Sequence, residues 1–199
     1  MKIRSMWTSR ALPIFAVLLL AAAAIAHSAQ AEDAYEIHVV LPITGGGSFV
    51  GKGQQESLGA LEASVNKSGG IQGRPLHFNF HDDQTSPQVA VQLVNGIRAS
   101  NPAVILGSSL VAMCNAMAPI LKNGPVLYCL SPGFHPVAGG YAFSASSSSY
   151  DQIAALVRYY RLKGWTRLAA LSGTDATGQD ADHAIEQILA KPENAGVRS

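Results

Sequence analysis

The stretch IHVVLPITGGGSFVGKGQQ, residues 37–55, sets an apolar, β-branched run directly before a glycine-rich loop and a helix-like segment. Within it, Gly46 to Lys52 spells G-x-x-x-x-G-K, the frame in which backbone N–H groups wrap phosphates and a lysine reaches the terminal ones. The frame breaks at its next position, because Gly53 stands where a Ser or Thr hydroxyl would hold magnesium. Nor is there a downstream apolar run ending in a magnesium-binding acid, since His77-Phe78-Asn79-Phe80-His81-Asp82-Asp83 is too polar. ATP binding at residues 46–53 is therefore not expected. The glycines read instead as a loop that turns tightly and lets a ligand or neighbouring backbone come close.

Working outward, the same unit recurs. Strands are expected near residues 37–42, 76–81, 103–106, 125–130 and 167–171. Helices with small and apolar residues at spacings of three and four are expected near 54–66, 87–99, 112–122, 150–162 and 181–190. Ser68-Gly69-Gly70 stops the first helix, and Ser86-Pro87 opens the second as a cap followed by proline in the first turn. Strands alternating with helices imply an α/β fold, a parallel sheet with helices on both faces. Ligands of such folds bind outside the carboxyl ends of the strands. That singles out three small, polar loops, residues 44–51, 107–114 and 131–136.

The first thirty or so residues fall outside this pattern. Lys2, Arg4 and Arg10 precede an apolar stretch that ends in Ala29-Gln30-Ala31, the layout of a secretory signal peptide, with cleavage expected after Ala31 and a periplasmic product. The apolar run is short for a membrane span. Its removal takes three of the fourteen basic residues and none of the thirteen acidic ones, leaving a mildly acidic chain. No basic stripe remains to suggest nucleic acid. Cys114 and Cys129 lack the paired spacing of a zinc site, leaving a disulfide or two buried thiols. His77, His81, Asp82 and Asp83 resemble a metal cluster only superficially, because an edge strand with one wetter face accounts for them and no third ligand is in sight. No G-x-S-x-G elbow is present, so an exported enzyme has no assembled nucleophile. No cofactor and no metal is expected.

Taken together, LPITGGGSFVGKGQQ (41–55), GGIQGRPL (69–76), DDQTSPQVAVQLVN (82–95), SPGFHP (131–136) and KGWTRLAALSGTDATGQD (163–180) resemble the leucine/isoleucine/valine-type periplasmic binding proteins of ABC transporters. The resemblance implies a type I periplasmic-binding-protein fold. Two α/β lobes close on an amino acid or similar small ligand and deliver it to an ABC permease in the inner membrane. On that pattern, residues 32–146 form a complete first lobe and 147–199 begin a second, entered after the serine run Ser146 to Ser149. The second lobe is expected to be truncated, since a single βα pair cannot bury its own apolar faces.

The resemblance also names contacts. The loop after the third strand would grip a ligand carboxylate with backbone N–H groups and a hydroxyl. Here the hydroxyl position falls on Val111, leaving Ser109, Ala112 and backbone donors; the alternative is that Ser109 only caps the helix. Gly133 would offer its carbonyl to the ligand, and His135 replaces a small hydroxyl residue. Thr177 replaces the aromatic that packs over the ligand from the second lobe, while Phe49, Phe134 and Tyr150 supply apolar surface. Losing polar partners for an ammonium tilts the expected ligand from a free branched-chain amino acid toward an apolar or aromatic carboxylate. The leading reading is an extracytoplasmic solute-binding component of an ABC importer, without catalysis. The alternatives are a ligand-sensing domain on the same fold or an inactive truncated fragment.

Overall fold

The computed structural model describes residues 33–144 and 146–199, so the signal-peptide reading lies outside the described residues. Five strands form one all-parallel sheet: β1 (Tyr35–Leu41), β2 (Leu76–Asp82), β3 (Val104–Gly107), β4 (Val126–Tyr128) and β5 (Ala142–Phe143), in the order β2-β1-β3-β4-β5. Five α-helices accompany them: α1 (Ser48–Lys67), α2 (Pro87–Ile97), α3 (Val111–Met117), α4 (Ser149–Leu162) and α5 (Ala176–Leu189).

The continuous apolar run of β1 is what a strand covered on both faces requires. Val39, Val40 and Leu41 are all fully buried. Val39 and Leu41 join Leu76, Phe78 and the half-buried Leu58 and Val65 of α1 on one face. Val40 points the other way, to Ala90, Val94 and Ile97 of α2 and to Met113 and Met117 of α3. The opening loop is resolved by this packing. Helix α1 begins at Ser48, so Lys52 stands on a helix rather than at the end of a phosphate loop. A Cβ on Gly51 would lie 2.2 Å from the Pro42 carbonyl oxygen, so the glycine lets the helix sit directly on the loop that precedes it.

Helix α1 also reaches the open side of β2. Glu62 Oε2 accepts from the Phe78 N–H at 2.7 Å. The Asn66 amide brackets Leu76, accepting from its N–H at 2.6 Å and donating to its carbonyl at 2.8 Å. Helix α2 starts as its sequence signals, with Ser86 Oγ accepting from the Val89 N–H and Pro87 in the first turn. After α3 the chain tightens into a 3-10 turn, Ala118–Leu121, where Pro119 cannot continue the α-helical ladder.

Three expectations need correction. Helix α1 starts at Ser48 rather than near residue 54. Residues 167–171 form no strand. Only Arg167 makes a bridge, parallel to Arg198, and Leu171 is fully exposed. An apolar run whose leucines and alanines have little β preference becomes a strand only when a neighbouring strand pairs with it, and here a single residue runs alongside. Helix α5 starts five residues earlier than expected, because Asp175 caps it by accepting from the Gly178 N–H at 2.9 Å. Helices α4 and α5 enclose a small cluster of their own, with Val157, Leu168, Ile188 and Val197 buried. Leu156, Tyr159, Leu162 and Trp165 remain exposed beside it.

Candidate functional site

With the order β2-β1-β3, the chain leaves β1 toward one side of the sheet and continues on the other. The loops after β1 and β3 therefore part, and the crevice between them is where ligands of open parallel sheets bind. Two adjacent aspartates lace these loops together. Asp82 accepts from the Ile43 and Thr44 N–H groups, each at 3.0 Å, from the Gln84 N–H at 2.9 Å and from Thr44 Oγ1 at 2.6 Å. Asp83 is fully buried and accepts from Ser108 Oγ at 2.7 Å and the Thr85 N–H at 2.9 Å. Thr85 Oγ1 in turn accepts from the Gly47 N–H and donates to the Thr44 carbonyl. The β1, β2 and β3 loops are thus one hydrogen-bonded unit.

The neighbouring carboxylates titrate in opposite directions. For Asp83, burial raises the pKa above the ordinary 3.8 against the bonds from Ser108 and Thr85, and the Asp82 charge adds to the rise. For Asp82, slight burial works upward but is outweighed by the bonds from Thr44, Gln84 and Ile43, which hold the carboxyl lower. Because the folded Asp83 binds its proton more tightly than the unfolded one, its contribution favours folding increasingly as pH falls through its raised value toward 3.8. Asp82 acts with the reverse sign, losing its contribution as pH drops through its lowered value. Asp83→Asn keeps an acceptor for Thr85 and is expected to remove the first effect only. Thermal melts from pH 7 to 4 should show the variant gaining less than the wild type on acidification. Parallel profiles would reject the assignment.

The loop after β3 carries Ser109, buried, whose hydroxyl donates to Gln54 Oε1 of α1. Ser109 is therefore not the helix cap. Leu110 occupies that position in an extended conformation, and no side chain caps α3. Val111 opens the helix and is buried, while Ala112 is half-buried against the α2 side of the core. A Cys114–Cys129 disulfide ties α3 to the end of β4, with Cα atoms 6.1 Å apart and Phe134 packed on it. The open choice between bridge and thiols is thereby decided for the bridge.

This tether brings the β4 loop back to α3. A Cβ on Gly133 would meet Val111 Cγ2 and Asp180 Oδ2, each at 2.8 Å. Asp180 comes from α5, across the serine run, and its Oδ1 lies 2.6 Å from His135 Nε2. Val111, Gly133 and His135 are thus gathered around one carboxylate of the second segment. Thr177 stands on the same helix one turn earlier and is half-buried. Phe49 is not part of the group, because its side chain projects from α1 into solvent at 91% exposure. Two buried polar atoms here, Ser131 Oγ and Asp180 Oδ2, have no hydrogen-bond partner among the described residues.

The roles of Asp180, Gln54, Ser108 and Asp83 in tying these loops together escaped the sequence reading. Asp180 had a legible signal, since it lies three residues after Thr177, but only once the cap at Asp175 is recognised does that spacing place the two on one helical face.

A family profile described as periplasmic binding protein matches residues 35–197. No curated protein matches the sequence. Among solved structures, an extracellular ligand-binding receptor from Verminephrobacter eiseniae superposes with a TM-score of 0.70 at 19% identity, over 80% of this chain and 47% of that one. A solute-binding protein of an ABC transporter from R. palustris, in complex with benzoate, gives 0.66 at 17% identity, over 83% of this chain and 46% of that one. A branched-chain amino acid transporter substrate-binding protein from Streptococcus pneumoniae, in complex with isoleucine, gives 0.64 at 14% identity, over 78% and 46%. At these identities the likeness shows the fold, and the chain spans under half the length of each structure.

Proposed function

The chain belongs to the periplasmic binding protein family, and from that premise we propose that it is an extracytoplasmic solute-binding component of an ABC importer, acting without catalysis. Residues 32–146 serve as its first lobe and 147–199 as the start of the second. The segment before Glu32 is its cleaved export signal, and an inner-membrane ABC permease receives its ligand. The observation that carries this reading is the meeting of Val111, Gly133 and His135 with Asp180 beyond the carboxyl ends of β3 and β4, where residues from both sides of the serine run face one another.

The ligand is a small carboxylate, either an amino acid or an apolar or aromatic acid. The uncapped first turn of α3 offers N–H groups to its carboxylate, with Ser109 and Ala112 beside them. Asp180 changes the balance between the two ligand types. The sequence alone left an ammonium without a partner, but the unpaired Oδ2 supplies one, so a zwitterion is no longer disfavoured.

A thermal-shift screen of leucine, valine, benzoate and short aliphatic acids tests this. A ligand at a hundred times its Kd stabilises by about 2.7 kcal/mol, a shift readily seen in a domain of this size. His135→Ala should weaken the response by releasing Asp180. No shift with any carboxylate would overturn the reading, and a full shift in His135→Ala would move the ligand away from the cleft.

A further inference from the structure

Away from the cleft, β1 and β2 bring two imidazoles together on the sheet face that carries α2. Val40 is paired with His81 and His38 with Asn79, so His38 and His81 are diagonal neighbours on adjacent parallel strands. His38 Nδ1 lies 3.0 Å from His81 Nε2, with ring centroids 5.2 Å apart and the planes 40° from each other. Both residues are half-buried at the wall of an open groove whose other side is α2, through Val89, Gln92, Leu93 and Gly96, with Ser100 just beyond.

We propose that His38 and His81 form a two-imidazole binding site for a transition-metal dication, with Cu(II) as the favoured ion. Two neutral imidazoles facing each other through nitrogen can share only one proton, so one nitrogen donates and the other accepts. A metal ion held off the N···N line, reached by a small turn of both rings, uses both lone pairs at once. The spacing suits this exchange. Cis ligands about 2.0 Å from a square-planar ion stand about 2.8 Å apart, and those of a tetrahedral zinc about 3.3 Å. The observed 3.0 Å lies between these. Among first-row dications the intrinsic preference of nitrogen ligands peaks at copper.

Two features make the pair a site rather than a coincidence of surface residues. The seven-residue ladder between β1 and β2 fixes both backbones before any ion arrives, so little ordering is left to lose. The groove gives water access to the remaining coordination positions, with Gln92 and Ser100 as polar neighbours. The other described histidines stand apart. His77 faces Glu62 at 3.5 Å, His135 faces Asp180 and His183 faces Gln187. No group of three His, Cys, Asp or Glu ligands occurs among the described residues, so affinity should be roughly micromolar, well below that of a four-ligand structural zinc site.

The test is a titration of the metal-free full chain with aqueous Cu(II), followed by electron paramagnetic resonance and by competition with a chelator of known affinity. One equivalent should bind with two nitrogen ligands. His38→Gln and His81→Gln should each lower the affinity at least tenfold, and His77→Gln should leave it unchanged. Paramagnetic broadening of histidine ring resonances in the wild-type chain gives a readout independent of how the variants fold. Broadening confined to His38 and His81 supports the site. Broadening centred on His77, His135 or His183, or unchanged affinity in the His38→Gln/His81→Gln double variant, overturns it.

Discussion

Replacing Gly107 by Ala is expected to abolish cooperative folding of the sheet, with a loss of about 4 kcal/mol or more. Gly107 ends β3 with φ at +123°, a conformation that L side chains rarely adopt. It is paired in register with Val40 of β1, and an added Cβ would sit 2.0 Å from the Val40 carbonyl oxygen and 3.1 Å from its nitrogen. The obstruction is backbone on both sides, so no rotamer change relieves it. Either β1 and β3 separate where they pair, or the β3 end shifts and takes Ser108 and Ser109 with it. The backbone conformation alone costs roughly 1–3 kcal/mol and overpacking a further 1–3, against a total stability of roughly 5–15 kcal/mol for a domain. Urea unfolding followed by far-ultraviolet circular dichroism measures the loss. A variant that unfolds within about 1 kcal/mol of wild type would show that β3 yields more easily than its packing indicates.

The second large effect concerns the bridge between Cys114 and Cys129. Cross-linking residues 15 apart removes loop freedom from the unfolded chain worth about 3 kcal/mol. The Cys114→Ala/Cys129→Ala variant should therefore lose about that much, and reductant should lower the melting temperature of the wild type but not of the variant. The consequence reaches the cleft, since the bridge sets the distance between the first turn of α3 and the Gly133 loop. Ligand-induced stabilisation should shrink with the bridge gone, over and above the loss of stability itself. If reduction leaves the melting temperature unchanged, the packing of Phe134 against Ala118 and Ala142 holds the β4 loop without help.

Much of the parallel sheet was legible because its signals are local. Val39-Val40-Leu41 announces a strand buried on both faces, and Ser86-Pro87 announces a helix start; each needs only its own neighbourhood. The segments that misled depend on partners distant in sequence. Residues 167–171 are apolar without β-branched residues and acquire only Arg198 beside them, whereas Ala142–Phe143 becomes a strand because β4 offers an edge to it. The site divided in the same way. Ser109, Val111, Gly133 and His135 lie on loops that any parallel sheet would bring to one end, so strand order alone placed them. Phe49 lies outside the group because a glycine-rich stretch read as loop continues as helix, which turns its ring outward. Asp180 joins the group through the packing of α5 on the β4 loop; its spacing from Thr177 marks a helical face but not the loop that the face meets.

The side chains that α1 extends to β2 bear on the fate of the chain in company. A sheet ends where its last strand has no neighbour, and the unpaired amides there form a template that another polypeptide can extend. On one flank that template is occupied by Glu62 and Asn66, which take up the N–H groups of Phe78 and Leu76 before any foreign strand can. On the other flank the last strand is two residues long, too short to hold an incoming segment in register. Lateral growth into fibrils or edge-to-edge dimers is disfavoured at both margins, by a helix lending its carboxylate and amide to the start of β2 at one and by brevity at the other.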